Sequence, residues 1–156
     1  MGQDSHRFSE VDKKLILGGF EVDLKNGLEG NSDGDVVIHA LCNALEQAIG
    51  GDSFSVYADE LCGRGVVDSR EYLKVALENI SKKGYQINNI GITIEAKTPK
   101  ILPIADEIKG SLTKILKIKK SDIGINATTG EEMTAFGKGQ GMQVFAIVSL
   151  IKKNNS

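Results

Sequence analysis

Tryptophan is absent from this chain, and cysteine, proline and histidine occur only twice each in 156 residues. Each scarcity removes a class of protein. Cys42 and Cys62 are too few for a disulfide framework and too far apart for a CxxC metal pair, so they read as reduced structural thiols, Cys42 in a helix and Cys62 in a loop. Neither sign of charge dominates: 19 basic residues against 21 acidic ones lack the electrostatic footprint of a nucleic-acid binder. Any phosphate must therefore be held locally. No apolar run approaches the roughly 20 residues of a spanning helix, and the polar opening MGQDSHRFSE is unlike a signal peptide. The expectation is a soluble, cytoplasmic protein with no membrane partner. There is also no internal repeat and no low-complexity segment. What is present, 40% apolar residues, suffices for one continuous core, and a single domain over 1–156 is expected.

Periodicity orders the elements. Leu15-Ile16-Leu17 and Phe20-Glu21-Val22 flank Gly18-Gly19, a pair that tolerates the positive φ angles of a tight hairpin turn. Ser32 and Asp35 stand at capping-box spacing before Val36, Val37, Ala40, Leu41, Ala44 and Leu45, which predicts a helix over 34–48 closed by Gly50-Gly51. A second helix starts at Asp68, carries Tyr72, Leu73, Ala76, Leu77 and Ile80 on one face, and stops at Gly84. Ile90, Ile92 and Ile94 alternate as in a half-buried strand, and Pro103 suits the first turn of a third helix running to the basic segment 117–120. A short strand at 123–126, a loop over 128–141 and an apolar strand over 144–151 complete the chain. The class is α/β in the broad sense, an α+β sandwich with a small mixed sheet and helices on one face. The last strand is nearly all apolar, which predicts burial of both its faces, the second by self-association.

The chemistry-bearing residues are sparse. Both histidines lie near acidic residues: His6 in Asp4-Ser5-His6, and His39 just after Ser32-Asp33-Gly34-Asp35. On an extended segment Asp-x-His points both side chains to one side, and a further imidazole from a helix would complete three ligands of a tetrahedral divalent site. Two imidazoles and a carboxylate suit zinc, with a fourth position open to a phosphate oxygen. The same pattern also fits a capping Asp beside a hydrogen-bonded surface His. Thr128-Thr129-Gly130-Glu131 joins two hydroxyls, a flexible backbone and a carboxylate; it suits phosphate and a magnesium-like cation, or is simply a polar turn. Gly137-Lys138-Gly139-Gln140-Gly141 offers backbone amides and one cation without the spacing of a P-loop.

In this order and spacing the segments resemble the 2-C-methyl-D-erythritol 2,4-cyclodiphosphate synthase family over nearly the whole chain. Gly2-Gln3-Asp4-Ser5-His6-Arg7-Phe8 is similar to the family's opening G-x-D-x-H-x-F, and Ser32-Asp33-Gly34-Asp35-Val36-Val37-Ile38-His39-Ala40 to its S-D-G-D-V-x-x-H-A. Ala96 and Pro99-Lys100-Ile101-Leu102-Pro103 resemble its cytidine-side segment, Ala127 to Glu131 its phosphate loop, and 137–141 its G-R-G-E-G. The resemblance implies a homotrimer about a threefold axis with active sites between subunits. It implies zinc on Asp4, His6 and His39, and magnesium or manganese placed on the substrate diphosphate with help from Glu131. Cytosine would lie on Ala96, Pro99, Lys100, Ile101 and Leu102, ribose on Asp52, and the α-phosphate on Thr128 and Thr129. In the implied reaction, the 2-phosphate of 4-diphosphocytidyl-2-C-methyl-D-erythritol 2-phosphate attacks the β-phosphorus and CMP leaves.

Several positions depart from the family pattern. Asn31, beside Ser32, replaces a histidine thought to stabilise the transferring phosphate; it keeps a hydrogen-bond donor and loses the capacity for charge. Phe54 replaces a glycine in the segment that contacts ribose and erythritol. Lys138 replaces an arginine that in relatives faces an axial cavity able to bind isoprenoid diphosphates, and Gln140 replaces a glutamate. These changes define the alternative expectation, a non-catalytic trimer that binds an isoprenoid diphosphate.

Overall fold

The computed structural model describes residues 1–153. Six strands and four α-helices run in the order β1 (Gly2–Arg7), β2 (Leu15–Leu17), β3 (Phe20–Val22), α1 (Val36–Ala48), α2 (Ser55–Gly63), α3 (Ser69–Lys82), β4 (Tyr85–Glu95), α4 (Ala105–Leu116), β5 (Ile123–Thr128) and β6 (Gly141–Lys152). The main sheet has the order β1-β6-β4-β5, with β6 antiparallel to both its neighbours and β4 parallel to β5. It is therefore mixed, as the sequence predicts. The hairpin β2-β3 forms a separate two-stranded sheet turning at Gly18 and Gly19, both at positive φ.

Strand alternation decides which side chains reach the core. Paired positions such as Ile94, Val144 and Ala127, or Ile92, Ala146 and Ile125, share one face of the sheet, and α1, α3 and α4 pack there. Ile90, Ile92, Ile94, Val144 and Ala146 are all buried among Val37, Leu41, Leu45, Leu73, Ile108 and Leu112 of the helices. Each such Ile, Leu or Val side chain contributes about 1.5–3 kcal/mol when fully buried. Gly2 also lies on this face; a β-carbon there would run into the Ala40 carbonyl and the Ala44 amide of α1. That close approach sets the distance between β1 and α1.

The opposite face is open in the single chain. Phe145 is half-buried, and Ile147 and Ile151 are 60% and 45% exposed, so this second apolar face, expected to be covered by self-association, is uncovered within one chain. Other boundaries also differ from the sequence reading. Helix α1 begins at Val36 because the Asp35 carboxylate, and not the Ser32 hydroxyl, accepts the Ile38 N–H at 3.0 Å. A 3-10 turn over Leu102–Ile104 takes up Pro103 before α4 starts. Strand β4 extends five residues upstream of Ile90, to Tyr85. Cys62, expected in a loop, lies within helix α2.

Candidate metal centre and substrate cleft

Asp4 and His6 alternate onto the helix-covered face of β1, and α1 brings His39 over them one turn after its cap. The cap is firmly made: buried Asp35 accepts N–H groups from Gly18 at 2.8 Å, Gly19 at 2.6 Å and Ile38 at 3.0 Å, joining the hairpin to the start of the helix. Burial pushes the Asp35 carboxyl up to about 6 while these three N–H groups hold it down.

The three side chains converge. Asp4 Oδ2 lies 2.9 Å from His6 Nε2 and 2.9 Å from His39 Nδ1, and the two ring nitrogens are 3.2 Å apart. One ligand atom from each residue thus falls in a single small volume, an arrangement that could hold a metal ion. Burial alone would raise the Asp4 carboxyl, but the hydrogen bonds to His39 and His6 outweigh it and hold the group well below the usual carboxylate range. The hydrogen bond to Asp4 in turn raises His6 above the ordinary imidazole range, against the effect of burial. Two nitrogens and one oxygen meeting at one point fit the donor set of a tetrahedral divalent site.

The centre opens into a cleft of ≈ 410 Å³ lined by Asn31, Ser32, Asn43, Phe54, Ala58 and Tyr72, among others. Asn31 and Ser32 are thus brought together with Asp4, His6 and His39 in one cleft. The Phe54 ring lies 5.0 Å from the His39 ring and 6.4 Å from Tyr72, forming an apolar wall beside the metal-capable group. Asn43 holds that wall in place: its Oδ1 accepts the Phe54 N–H at 3.2 Å and its Nδ2 donates to the Gln3 carbonyl at 3.2 Å. Asp52 does not join this cleft; it lines a separate depression with Met1, Gly2, Gln3 and Gln47.

The cytidine-side residues gather elsewhere. Ala96, Pro99, Lys100, Ile101, Leu102, Thr128 and Thr129 line a second pocket of ≈ 350 Å³, mostly apolar except for Lys100 and the threonines. It is built where β4 and β5 end, and the Thr98–Pro99 peptide is cis. Glu131 follows on an exposed turn at φ 48°. Lys138 is exposed in the loop before β6, its N–H donating to the Thr134 carbonyl at 2.9 Å. The two pockets share no residue. They occupy opposite edges of the sheet, β1 against β5, three strand spacings or roughly 14 Å apart.

Sequence reasoning missed the support behind His39. Ser69, fully buried at the start of α3, lies 2.9 Å from His39 Nε2 and hydrogen-bonds the Asp33 carboxylate. Asn43, Ala58 and Tyr72 were missed as cleft residues too. Only the polarity of Ser69 at a helix start was readable, and that is explained equally well by capping.

A mixed α/β chain with an Asp-His-His group shared between an edge strand and the helix over it, and a separate pocket on the opposite edge, defines an α/β protein built around a metal-capable cleft. The YgbB family model matches residues 1–151, and the chain belongs to the YgbB family. Curated relatives named 2-C-methyl-D-erythritol 2,4-cyclodiphosphate synthase are close in length. That of Chlamydia muridarum is 39% identical over 155 residues, 97% of this chain and 86% of the relative. That of Chlamydia trachomatis serovar A is 41% identical, with the same coverage of 97% and 86%. Among solved structures, the bifunctional IspDF of Campylobacter jejuni superposes with a TM-score of 0.89 at 31% identity, covering 97% of this chain and 41% of that one. IspF of Plasmodium falciparum, in complex with CDP, gives a TM-score of 0.85 at 28% identity, covering 98% and 94%.

Proposed function

We propose that the protein converts 4-diphosphocytidyl-2-C-methyl-D-erythritol 2-phosphate to 2-C-methyl-D-erythritol 2,4-cyclodiphosphate and CMP, in the cytoplasm, as a step of non-mevalonate isoprenoid synthesis. The observation that carries this reading is the convergence of Asp4, His6 and His39 within one cleft, in a chain 39–41% identical to named synthases. The whole of 1–156 acts as one domain.

Asp4, His6 and His39 would hold zinc, and Glu131 would help to place magnesium or manganese on the diphosphate; bound there, the cations would polarise and neutralise the phosphates. The chain's own residues do the positioning. Asn31 donates a hydrogen bond to the transferring phosphate and Ser32 lines its path. Thr128 and Thr129 hold the α-phosphate, while Ala96, Pro99, Lys100, Ile101 and Leu102 enclose cytosine. An oxygen of the 2-phosphate forms a bond to the β-phosphorus, the bond to the bridging α-phosphate oxygen breaks, and that oxygen leaves with CMP. No protein nucleophile is required. Alignment of the two phosphates lowers the barrier by as much as about 7–11 kcal/mol. Phe54 closes the side of the cleft toward the methylerythritol, a role that a glycine would leave empty. Asp52, outside the metal cleft in one chain, would reach ribose only as part of an assembled site.

Assembly follows from the two separated pockets. A site that needs both the metal edge at β1 and the cytidine edge at β5 is completed when copies meet edge to edge around a threefold axis, giving a homotrimer with three intersubunit sites. The exposed Ile147 and the half-buried Phe145 would then face that axis. Lys138, at the entry to β6, would stand at its mouth, where it could pair with an isoprenoid diphosphate.

Product analysis tests the reading. Incubation of the zinc-loaded protein with the cytidine substrate and magnesium should yield CMP and the cyclic diphosphate in equal amounts. Inorganic phosphate in place of CMP, or no turnover, would reject it.

A further inference from the structure

We infer that Ser69 and Asp33 form a positioning relay that fixes which ring nitrogen of His39 faces the metal site; this rests on the reading of Asp4, His6 and His39 as a metal-binding group. The argument is one of proton counting. Asp33 lies one turn before α1 and ties that helix's cap to the start of α3: its Oδ2 accepts the Ser69 N–H at 3.0 Å, its own N–H donates to the Val67 carbonyl at 2.8 Å, and its Oδ1 accepts the N–H of the cap residue Asp35 at 3.1 Å. The Ser69 hydroxyl also meets Asp33 Oδ1. A carboxylate has no proton to give, so the single hydroxyl proton of Ser69 points at Asp33.

That leaves Ser69 Oγ as an acceptor toward His39. His39 Nε2 lies 2.9 Å from it, with Ser32 Oγ at 3.4 Å as a second, longer neighbour. The imidazole therefore keeps a proton on Nε2, which leaves Nδ1, the atom that hydrogen-bonds Asp4 and faces His6, as the nitrogen that would give up its proton and offer a lone pair to a metal. Ser69 is fully buried and His39 is 5% exposed, so water does not substitute for the hydroxyl. The ring also packs against Phe54 and Tyr72. A metal-ligating histidine whose other nitrogen is held in this way is fixed in both tautomer and orientation, and losing the holding group costs about 10- to 100-fold in metal affinity. The relay spans 36 residues of sequence, from the loop before α1 to the first residue of α3. It couples the position of α3 to the metal ligand.

The test uses the full-length protein labelled with 15N-histidine, with zinc alone as the probe. In the zinc-loaded protein the spectrum should show His39 protonated on Nε2, with that proton exchanging slowly. Ser69→Ala should weaken zinc binding by about 10- to 100-fold in a chelator competition and release the Nε2 proton to fast exchange. Zinc uptake with His39 protonated on Nδ1 would overturn the relay, as would unchanged zinc affinity with a protected Nε2 proton in Ser69→Ala. The tautomer of the wild-type protein decides the matter if Ser69→Ala does not fold. A wild-type protein that takes up no zinc overturns the metal reading itself, and the relay with it.

Discussion

His39 Nδ1 and His6 Nε2 approach to 3.2 Å although they come from a helix and a strand 33 residues apart, and Asp4 Oδ2 bridges both at 2.9 Å. At most one proton can lie between two such nitrogens, and one ligand atom from each residue falls in a single small volume that could hold a metal ion. The structure buries His39 against Phe54 and Tyr72. His39→Ala should therefore remove the metal and also cost about 2 kcal/mol in the metal-free protein, through the cavity it leaves. Metal analysis and thermal melts check this. A variant that keeps one metal ion per chain contradicts the assignment.

Gly2 is where β1 touches α1. Gly2→Ala should lower stability by about 1–3 kcal/mol, because the added methyl meets the Ala40 carbonyl and Ala44 amide and not a flexible side chain. It should also weaken metal binding, since any retreat of α1 from β1 separates His39 from Asp4 and His6. A melt unchanged from wild type would show that the two elements have slack.

Much of this was legible locally. The hairpin, α1, α3 and α4 follow from glycine pairs, caps and apolar stripes over short windows, and Asp-x-His points both side chains the same way on any strand. Helix α2 was not legible: only Ala58 among its residues is buried, so Val56, Tyr57 and Leu61 leave no clear stripe. Which face of β6 meets the helices was not legible, because Phe145 and Ile147 are as apolar as Val144 and Ala146 and only packing tells the faces apart. The Asp33–Ser69–His39 contacts join distant segments and leave no periodic signal.

Asp35 sets a pH dependence. Its folded value, pushed up to about 6 from 3.8, lies above the unfolded one, so the folded chain holds this proton more tightly. The stability it contributes is complete below about pH 4 and is lost as pH rises through about 6. Relative to Asp35→Asn, wild type should lose stability over that interval, as measured by denaturant melts at stepped pH. A difference that stays constant with pH contradicts the shift.

The two-edge site predicts complementation between defective chains. His39→Ala spoils the metal edge and Thr129→Ala the cytidine edge, so each should be nearly inactive alone. Refolded together one to one, random trimers would restore about one quarter of the wild-type sites, because every mixed trimer contains one interface built from two intact halves. No recovery from a mixture shown to contain mixed trimers would place the whole site within one chain.

The most direct measurement is turnover of 4-diphosphocytidyl-2-C-methyl-D-erythritol 2-phosphate by protein stripped of metal and then given zinc and magnesium. The account predicts no CMP from the stripped protein, and CMP with an equal amount of cyclic diphosphate after both ions are restored. Equal rates with and without metal, or a fully metallated protein that leaves the substrate intact, would contradict it.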